Sequence, residues 1–263
     1  MYKSIQIEDF DFSIFPYISD RKVLTYKERN KNTLINIQDY LLNKKNTLSV
    51  EKIYEKLFVN VRPDIFLSHS HADEDDVIRL AILIEQELNL RVFIDSCIWG
   101  DAFKLLRVID EEYCLNGNNF NYRKRNYTTS NIFMILSSDL NRVIYNCEAF
   151  IFLGTDNSIP INEVFENKKY LSSPWIYTEL QFAKLVRRTP KPRQISTESR
   201  DQALAESLAL DNDPNFAYPI PETDATLSNQ KLKKWIEGSK ISYISQSIHP
   251  LDRLYSIITH RKI

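Results

Sequence analysis

Glycine is scarce in this chain: Gly100, Gly117, Gly154 and Gly238 are the four in 263 residues. No two of them can form G-x-G-x-x-G or G-x-x-x-x-G-K-S/T, so a dinucleotide fingerprint and a phosphate-cradling P-loop are excluded in their usual forms. Cysteine is scarce too. Cys97, Cys114 and Cys147 are odd in number and scattered, with no C-x-x-C pair. They read as reduced thiols, not as a disulfide frame or a zinc site. The four histidines (His69, His71, His249, His260) include no H-E-x-x-H. The pair His69 and His71 reads as loop, and no metal site is expected. The longest apolar run, Ala149 to Leu153, is too short to span a bilayer. Residues Met1 to Ser13 are acidic and lack an apolar segment, so no signal peptide is expected, and the expected location is cytoplasmic. Net charge is −1, which leaves no broad electrostatic case for nucleic acid or an anionic membrane. The short basic cluster Arg123-Lys124-Arg125 reads as a solvated loop.

What the chain does have is an ordinary globular composition, 43% hydrophobic and 26% charged, at a length that suits one domain with extensions or two small ones. Residues 1 to 61 read as an N-terminal helical extension. Thr33–Leu42 and Ser49–Phe58 have helical spacing there, the second with Ser49 as cap. From Asp64 the texture changes. Ile65-Phe66-Leu67 is a short apolar run, Asp73–Leu88 a helix with an acidic first turn, and Arg91–Asp95 a second strand. Strand, helix and strand in about 30 residues make a βαβ unit and predict a parallel sheet.

A loop at Ser96–Asp101 and a helix over Ala102–Tyr113 follow. Residues 114 to 130 are polar and read as a surface insertion. Phe133, Leu136, Leu140 and Val143 repeat at helical spacing, and Ala149–Leu153 is a third buried strand. Ser173 then Pro174 marks a helix start. Trp175, Glu179, Phe182 and Val186 fall on one stripe of that helix. A carboxylate in an apolar stripe is either an edge residue reaching water or a partly desolvated acid placed for chemistry. Farther on, Phe216–Ile220 is a late strand, and Gln230–Ile236 and Leu251–Ile258 are helices.

Three of these segments resemble motifs of the TIR (Toll/interleukin-1 receptor) family. Asp64-Ile65-Phe66-Leu67-Ser68-His69 with Asp73 resembles its first motif. Val92-Phe93-Ile94-Asp95 with Trp99-Gly100 is similar to its second strand and the loop after it. Ser173-Pro174-Trp175-Ile176-Tyr177-Thr178-Glu179-Leu180 looks like its Ser-x-Trp-x-x-x-Glu-Leu helix. The likeness covers residues 62 to 187 and leaves out the first 60. The stretch 114–130 departs from a minimal domain. The overall look is bacterial, similar to TIR proteins of antiphage systems such as Thoeris.

The resemblance implies an α/β, flavodoxin-like doubly wound parallel sheet, with a TIR domain over 62–263 and an elaborated C-terminal part. It implies cleavage of NAD+ at the nicotinamide–ribose bond, to ADP-ribose or a cyclic ADP-ribose-type signal. NAD+ is then the substrate, and no cofactor is expected. Glu179 matches the catalytic position. Family members that lack this acid act as adaptors, so a non-catalytic module working by homotypic assembly is the alternative. Self-association and a separate effector protein answering the product are the implied partners.

The residues add a placement argument. Ligands of open parallel sheets bind beyond the carboxyl ends of the strands. Ser68, His69 and Asp73 follow the first strand and Asp95 ends the second, with Trp99 beyond it. Trp175 and Glu179 start their helix on the same rim. All are candidates to hold the substrate, with Glu179 as the acid that stabilises an oxocarbenium-like ribose. For Trp99, lining the site, forming a self-association surface and folding back onto the sheet remain open.

Overall fold

The computed structural model describes residues 1–29, 47–57, 62–117, 119–159, 170–190, 218–240 and 248–259, with the side chains of 56 and 97–101 left out. Its centre is a five-stranded, all-parallel sheet. In chain order the strands are β1 (Lys3–Glu8), β2 (Ile65–Ser68), β3 (Val92–Ile94), β6 (Ala149–Leu153) and β9 (Ala225–Ser228); in space they run β3-β2-β6-β1-β9. Two small antiparallel pairs lie outside it: β4 (Leu115–Asn116) with β5 (Asn119–Phe120), and β7 (Tyr170–Leu171) with β8 (Tyr218–Pro219).

Strand alternation sorts the core into two layers. Ile5, Ile7, Ile65, Leu67, Ala149, Ile151, Leu153 and Leu227 are buried on one face. They pack with residues of α1 (Asp20–Arg29), α3 (Glu74–Leu88), α7 (Asn229–Gly238) and α8 (Pro250–Thr259). Phe66, Phe93, Phe150 and Phe152 lie on the other face. They pack with α2 (Val50–Leu57), α4 (Ser96–Tyr113), α5 (Tyr122–Asn146) and α6 (Pro174–Leu185). Both faces are covered, which is why β2 and β6 are apolar along nearly their whole length. The architecture is α/β, compatible with a flavodoxin-like sheet. Among the described residues no helix is long and apolar enough to cross a membrane.

Local chemistry sets the helix ends. The first turn of α3 holds Glu74, Asp75 and Asp76, and the helix stops at Asn89 in the left-handed region, φ 51°. In α6, Pro174 sits at the first position and the Ser173 hydroxyl accepts from the Ile176 N–H at 3.4 Å.

Several expectations change. Residues 1–61 are not purely a helical extension: β1 lies inside the sheet, paired over Lys3–Ile7 with Ala149–Leu153 and over Ile5–Glu8 with Ala225–Ser228. Two isoleucines alternating with polar residues give too weak a pattern to read alone. They become a strand because β6 and β9 flank them. Counted from β2, the order β3-β2-β6 runs 2-1-3 as in flavodoxin-like sheets, and the next place is filled by β1. The Ser49 helix is present as α2, whereas Thr33–Leu42 lies outside the described residues.

Ser96–Asp101 is not a loop: it forms the first turns of α4, running straight on into the expected 102–113 helix. Among its described residues, the 114–130 stretch forms the β4–β5 pair and the start of α5. Buried Asp110 ties it down, accepting from Thr128 Oγ1 at 2.6 Å and Arg125 Nε at 3.0 Å. Strand β9 has no counterpart among the expected elements; of the late strand expected over Phe216–Ile220, Tyr218–Pro219 is strand and 216–217 lie outside the described residues.

Gly154 ends β6 where β1 passes closest. A Cβ built there would lie 2.9 Å from the Ile7 carbonyl oxygen, a backbone atom that cannot swing aside. Gly154→Ala is therefore expected to lower stability by about 1–3 kcal/mol. The check is urea unfolding: the midpoint should fall at unchanged slope, and an unchanged midpoint would show that the β1–β6 contact is slack.

Candidate functional site

Register places the first two site residues. Leu67 pairs with Ile94, so Ser68 and Asp95, one residue on, leave the carboxyl ends of adjacent strands on the same face. That is the phenylalanine face, which α6 covers. Ser68 and Asp95 are both buried, and so is Glu179 on α6, at 2% exposure.

The Ser68 hydroxyl donates to Glu179 Oε2 at 2.6 Å. Glu179 Oε1 has no donor. Burial drives the Glu179 pKa well above the usual carboxylate range, and the negative charge of Asp95 pushes it the same way; the Ser68 hydrogen bond opposes both. Two carboxyl groups in contact can hydrogen-bond only if one carries a proton. A proton held on Glu179 removes the repulsion between the two carboxyl groups as well as the cost of burial.

His69 is the third member. Its Nδ1 lies 3.3 Å from the Leu67 carbonyl oxygen and 3.3 Å from Asp95 Oδ1, and its Nε2 is 3.2 Å from Ser96 Oγ. Burial lowers its pKa, although Asp95 pulls the other way. A neutral ring protonated on Nδ1 donates to the Leu67 carbonyl oxygen and accepts from Ser96 at Nε2, with Asp95 Oδ1 beside it. His69 thus touches Asp95 from the side, and Asp95 links it to Glu179.

Asp73 belongs to a separate cluster. Its carboxylate accepts from Thr155 Oγ1 at 2.5 Å and from Asn157 Nδ2 at 2.6 Å. It ties the turn before α3 to the loop after β6. Trp175 is half-buried and meets Phe133 edge-on at 5.5 Å; Phe133 meets Phe103 edge-on at 6.0 Å. The three rings bridge α6, α5 and α4. The side chain of Trp99 lies outside the described residues.

The helix stripe is rotated from its expected position. The buried residues of α6 are Ile176, Glu179, Leu180 and Ala183, while Trp175, Phe182 and Val186 are only half-buried. α6 is wedged between α5 on one side and β7 with β8 on the other, so flanking positions are partly covered and the true centre moves by one residue. Glu179 lies at the centre of the buried face and not at its edge.

Sequence reasoning passed over Ser96, which it placed in a loop, and Asp139. The latter is a buried carboxyl on α5, with Oδ2 unpartnered and a pKa raised to about 6 by burial against the pull of Arg142. Its position three residues after Leu136 and one before Leu140, in an apolar helical repeat, was the available signal. Among the described residues, no group of three or more His, Cys, Asp or Glu is placed to hold a metal ion.

The arrangement offers a buried carboxyl with a raised pKa beside a second carboxyl, one hydroxyl that shields it, and a neutral imidazole. Ionised, Glu179 would be a poorly solvated negative charge, which is a strong field for a cationic centre. Compared with protein-family models, with curated proteins and with solved structures, the chain matches none.

The raised Glu179 pKa has a stability consequence. A group whose folded pKa lies above its unfolded value, here about 4.5, contributes stability below that value and loses it as pH rises through the folded pKa. Glu179→Gln removes this titration. Denaturant melts of both proteins from acid to alkaline pH should show wild type losing ground to the variant as pH rises. Parallel curves would mean that Glu179 is ionised normally in the folded protein.

Proposed function

We propose that this protein is an NAD+ glycohydrolase or cyclase of TIR type, with Glu179 as its catalytic acid. The observation that carries the reading is the position of Glu179. The residue that matches the family's glutamate sits, buried, against Ser68 and Asp95 at the carboxyl ends of β2 and β3. Those are the residues that the first and second motifs contribute.

The chemistry suits a single carboxylate. The C1′–N bond of NAD+ breaks, and its electron pair leaves on nicotinamide, which departs neutral. Positive charge builds on the ribose. A carboxylate stabilises that charge and can hold a ribose hydroxyl. Water then attacks C1′ and yields ADP-ribose, with one proton released; attack by a nitrogen of the adenine instead closes a cyclic product. For the ribose to reach Glu179 it must take over the hydrogen bond now made by Ser68. The charge of Asp95 favours the protonated form of Glu179 until substrate enters, and His69 lies beside Asp95. Trp175, one turn before Glu179, supports the helix through Phe133. Asp73 shapes the rim through Thr155 and Asn157. The same proposal includes a cytoplasmic role in bacterial antiphage immunity, self-association through the Ser96–Asp101 segment at the start of α4, and a separate effector that answers the product.

A second reading is a non-catalytic module acting by homotypic assembly. The 2% exposure of Glu179 favours it, because a closed carboxyl pair can be purely structural. One experiment separates the two. Incubated with NAD+, wild type should release nicotinamide and Glu179→Gln should not, while the variant melts at or above the wild-type temperature. Specific activity should fall on dilution if neighbouring copies complete the site. A folded wild type that leaves NAD+ intact at every concentration would establish the assembly module instead.

A further inference from the structure

The first turns of α5 stand clear of the core. The residues that this helix buries lie between Ile132 and Ile144, and none lies in Tyr122–Asn131. The Arg123–Arg125 cluster, expected as a solvated loop, is thus the start of a projecting helix. At 3.6 residues per turn, Arg123, Lys124, Tyr127 and Met134 fall within about 100° of arc, on the side opposite Ile132, Leu136 and Val143. All four are exposed, Tyr127 and Met134 at 71% each. We propose that this outer face of α5 binds single-stranded nucleic acid.

The face carries cations and no acid. Between Glu112 and Asp139 the chain has Arg123, Lys124 and Arg125, and neither aspartate nor glutamate. Asp139 is buried and turned to Arg142. On the last turn of α4, Asp110 is buried against Arg125, Glu111 pairs with Arg107 at 2.8 Å and Glu112 is exposed. Other helices of this protein lace their surfaces with ion pairs: Lys27 with Glu74 and Asp75, Arg79 with Asp76, Lys233 with Glu237. Among the described residues, Arg123 and Lys124 make none. Lys124 Nζ donates to the Tyr113 carbonyl at 3.0 Å, which spends one of its three protons. The net charge of −1 argues against a broad basic field but leaves room for a local one.

The spacing of the apolar side chains selects among partners. Ser130 Oγ donates to the Asn126 carbonyl at 2.7 Å and Asn131 Nδ2 to the Tyr127 carbonyl at 2.8 Å. The polar residues between Tyr127 and Met134 thus fold back onto the helix and leave those two side chains standing out. Two turns separate them, about 10 Å. An acidic peptide or a membrane needs a joined apolar patch in which to anchor, and these two side chains stand apart. A second copy of the face would set cation against cation. Unpaired bases need only separate surfaces to stack on, with cations nearby to meet their phosphates. Arg123 and Lys124 meet the backbone of such a strand, and Tyr127 stacks on a base. The helix start is already rigid. On its inner side Arg125 and Thr128 hold Asp110 at 3.0 and 2.6 Å, and Arg125 lies over the Phe120 ring at 4.9 Å. Little ordering is left to cost affinity on binding.

The test is fluorescence anisotropy of the full-length protein with a labelled oligo-deoxythymidine of about 12 nucleotides. A duplex of the same length and vesicles containing phosphatidylserine are the comparisons. The single strand should bind at about 50 mM salt and weaken steeply as salt rises. Arg123→Glu combined with Lys124→Glu should weaken it by about tenfold or more, and Tyr127→Ala by about fivefold or more. The substituted side chains are exposed, so both variants are expected to fold, and their melting temperatures check this. Tyr17, 83% exposed and next in chain to the aliphatic layer on the other side of the sheet, supplies the control: Tyr17→Ala should bind as wild type does. No binding at low salt, full affinity in both α5 variants, an equal loss in Tyr17→Ala, or tighter binding of the duplex or the vesicles would overturn the proposal. Binding is read without NAD+, so the outcome is separate from whether Glu179 cleaves it.

Discussion

The organisation of this protein turns on keeping the Glu179 carboxyl out of water. A buried carboxylate is costly unless it is neutralised or well hydrogen-bonded. Here the Ser68 hydroxyl and a raised pKa that favours the protonated form meet that need. Each partner is supplied by a different structural device. Ser68 is the last residue of β2, Asp95 follows β3, and Glu179 is carried in by α6. A shift of one residue in the β2–β3 register would turn Ser68 or Asp95 to the other face and leave the acid unsatisfied. The site is therefore as exact as the sheet that holds it.

The sheet earns that precision from its two unlike layers. On the site face the Phe66 ring lies 5.1 Å from that of Phe93, tilted, and 5.5 Å from that of Phe150, stacked. On the opposite face the sheet presents isoleucine, leucine and alanine, and Trp235 of α7 packs in that layer. Ser68, Asp95 and Glu179 enter the aromatic layer at the carboxyl edge, which is where parallel sheets present ligand sites.

The N-terminal strand adds a constraint that a minimal αβ succession lacks. β1 closes the gap between β6 and β9, and its far side is polar. Ser4 Oγ and N both donate to Asp224 Oδ2, at 3.0 and 2.7 Å, and Arg188 bridges the same pair. The segment after α6 is thereby tied to the first residues of the chain. Coupling of this kind holds α6, and with it Glu179, to the sheet from its C-terminal end.

The sequence by itself determined the strand-helix-strand unit from Asp64 to Asp95, the strand β6 and the helix α6, because β2 and β6 are near-continuous apolar runs, α3 has helical spacing and an acidic first turn, and α6 has its Ser173 cap; of α5 it showed only the part from Phe133 on. It also singled out Ser68, Asp95 and Glu179, since polar residues at the ends of buried runs are rare enough to notice. It did not determine β1, whose two isoleucines look like nothing until β6 and β9 flank them. Nor did it reveal that Ser96–Asp101 is helical, because Gly100 and an uncapped start read as a loop. Tertiary structure alone decided which way α6 faces: packing against α5 and the β7–β8 pair rotated the stripe by a residue and put Glu179 at its centre. It alone joined Asp95 to Glu179 and separated Asp73 from both, since strand register and side-chain reach are properties of the folded sheet and leave no mark on local sequence.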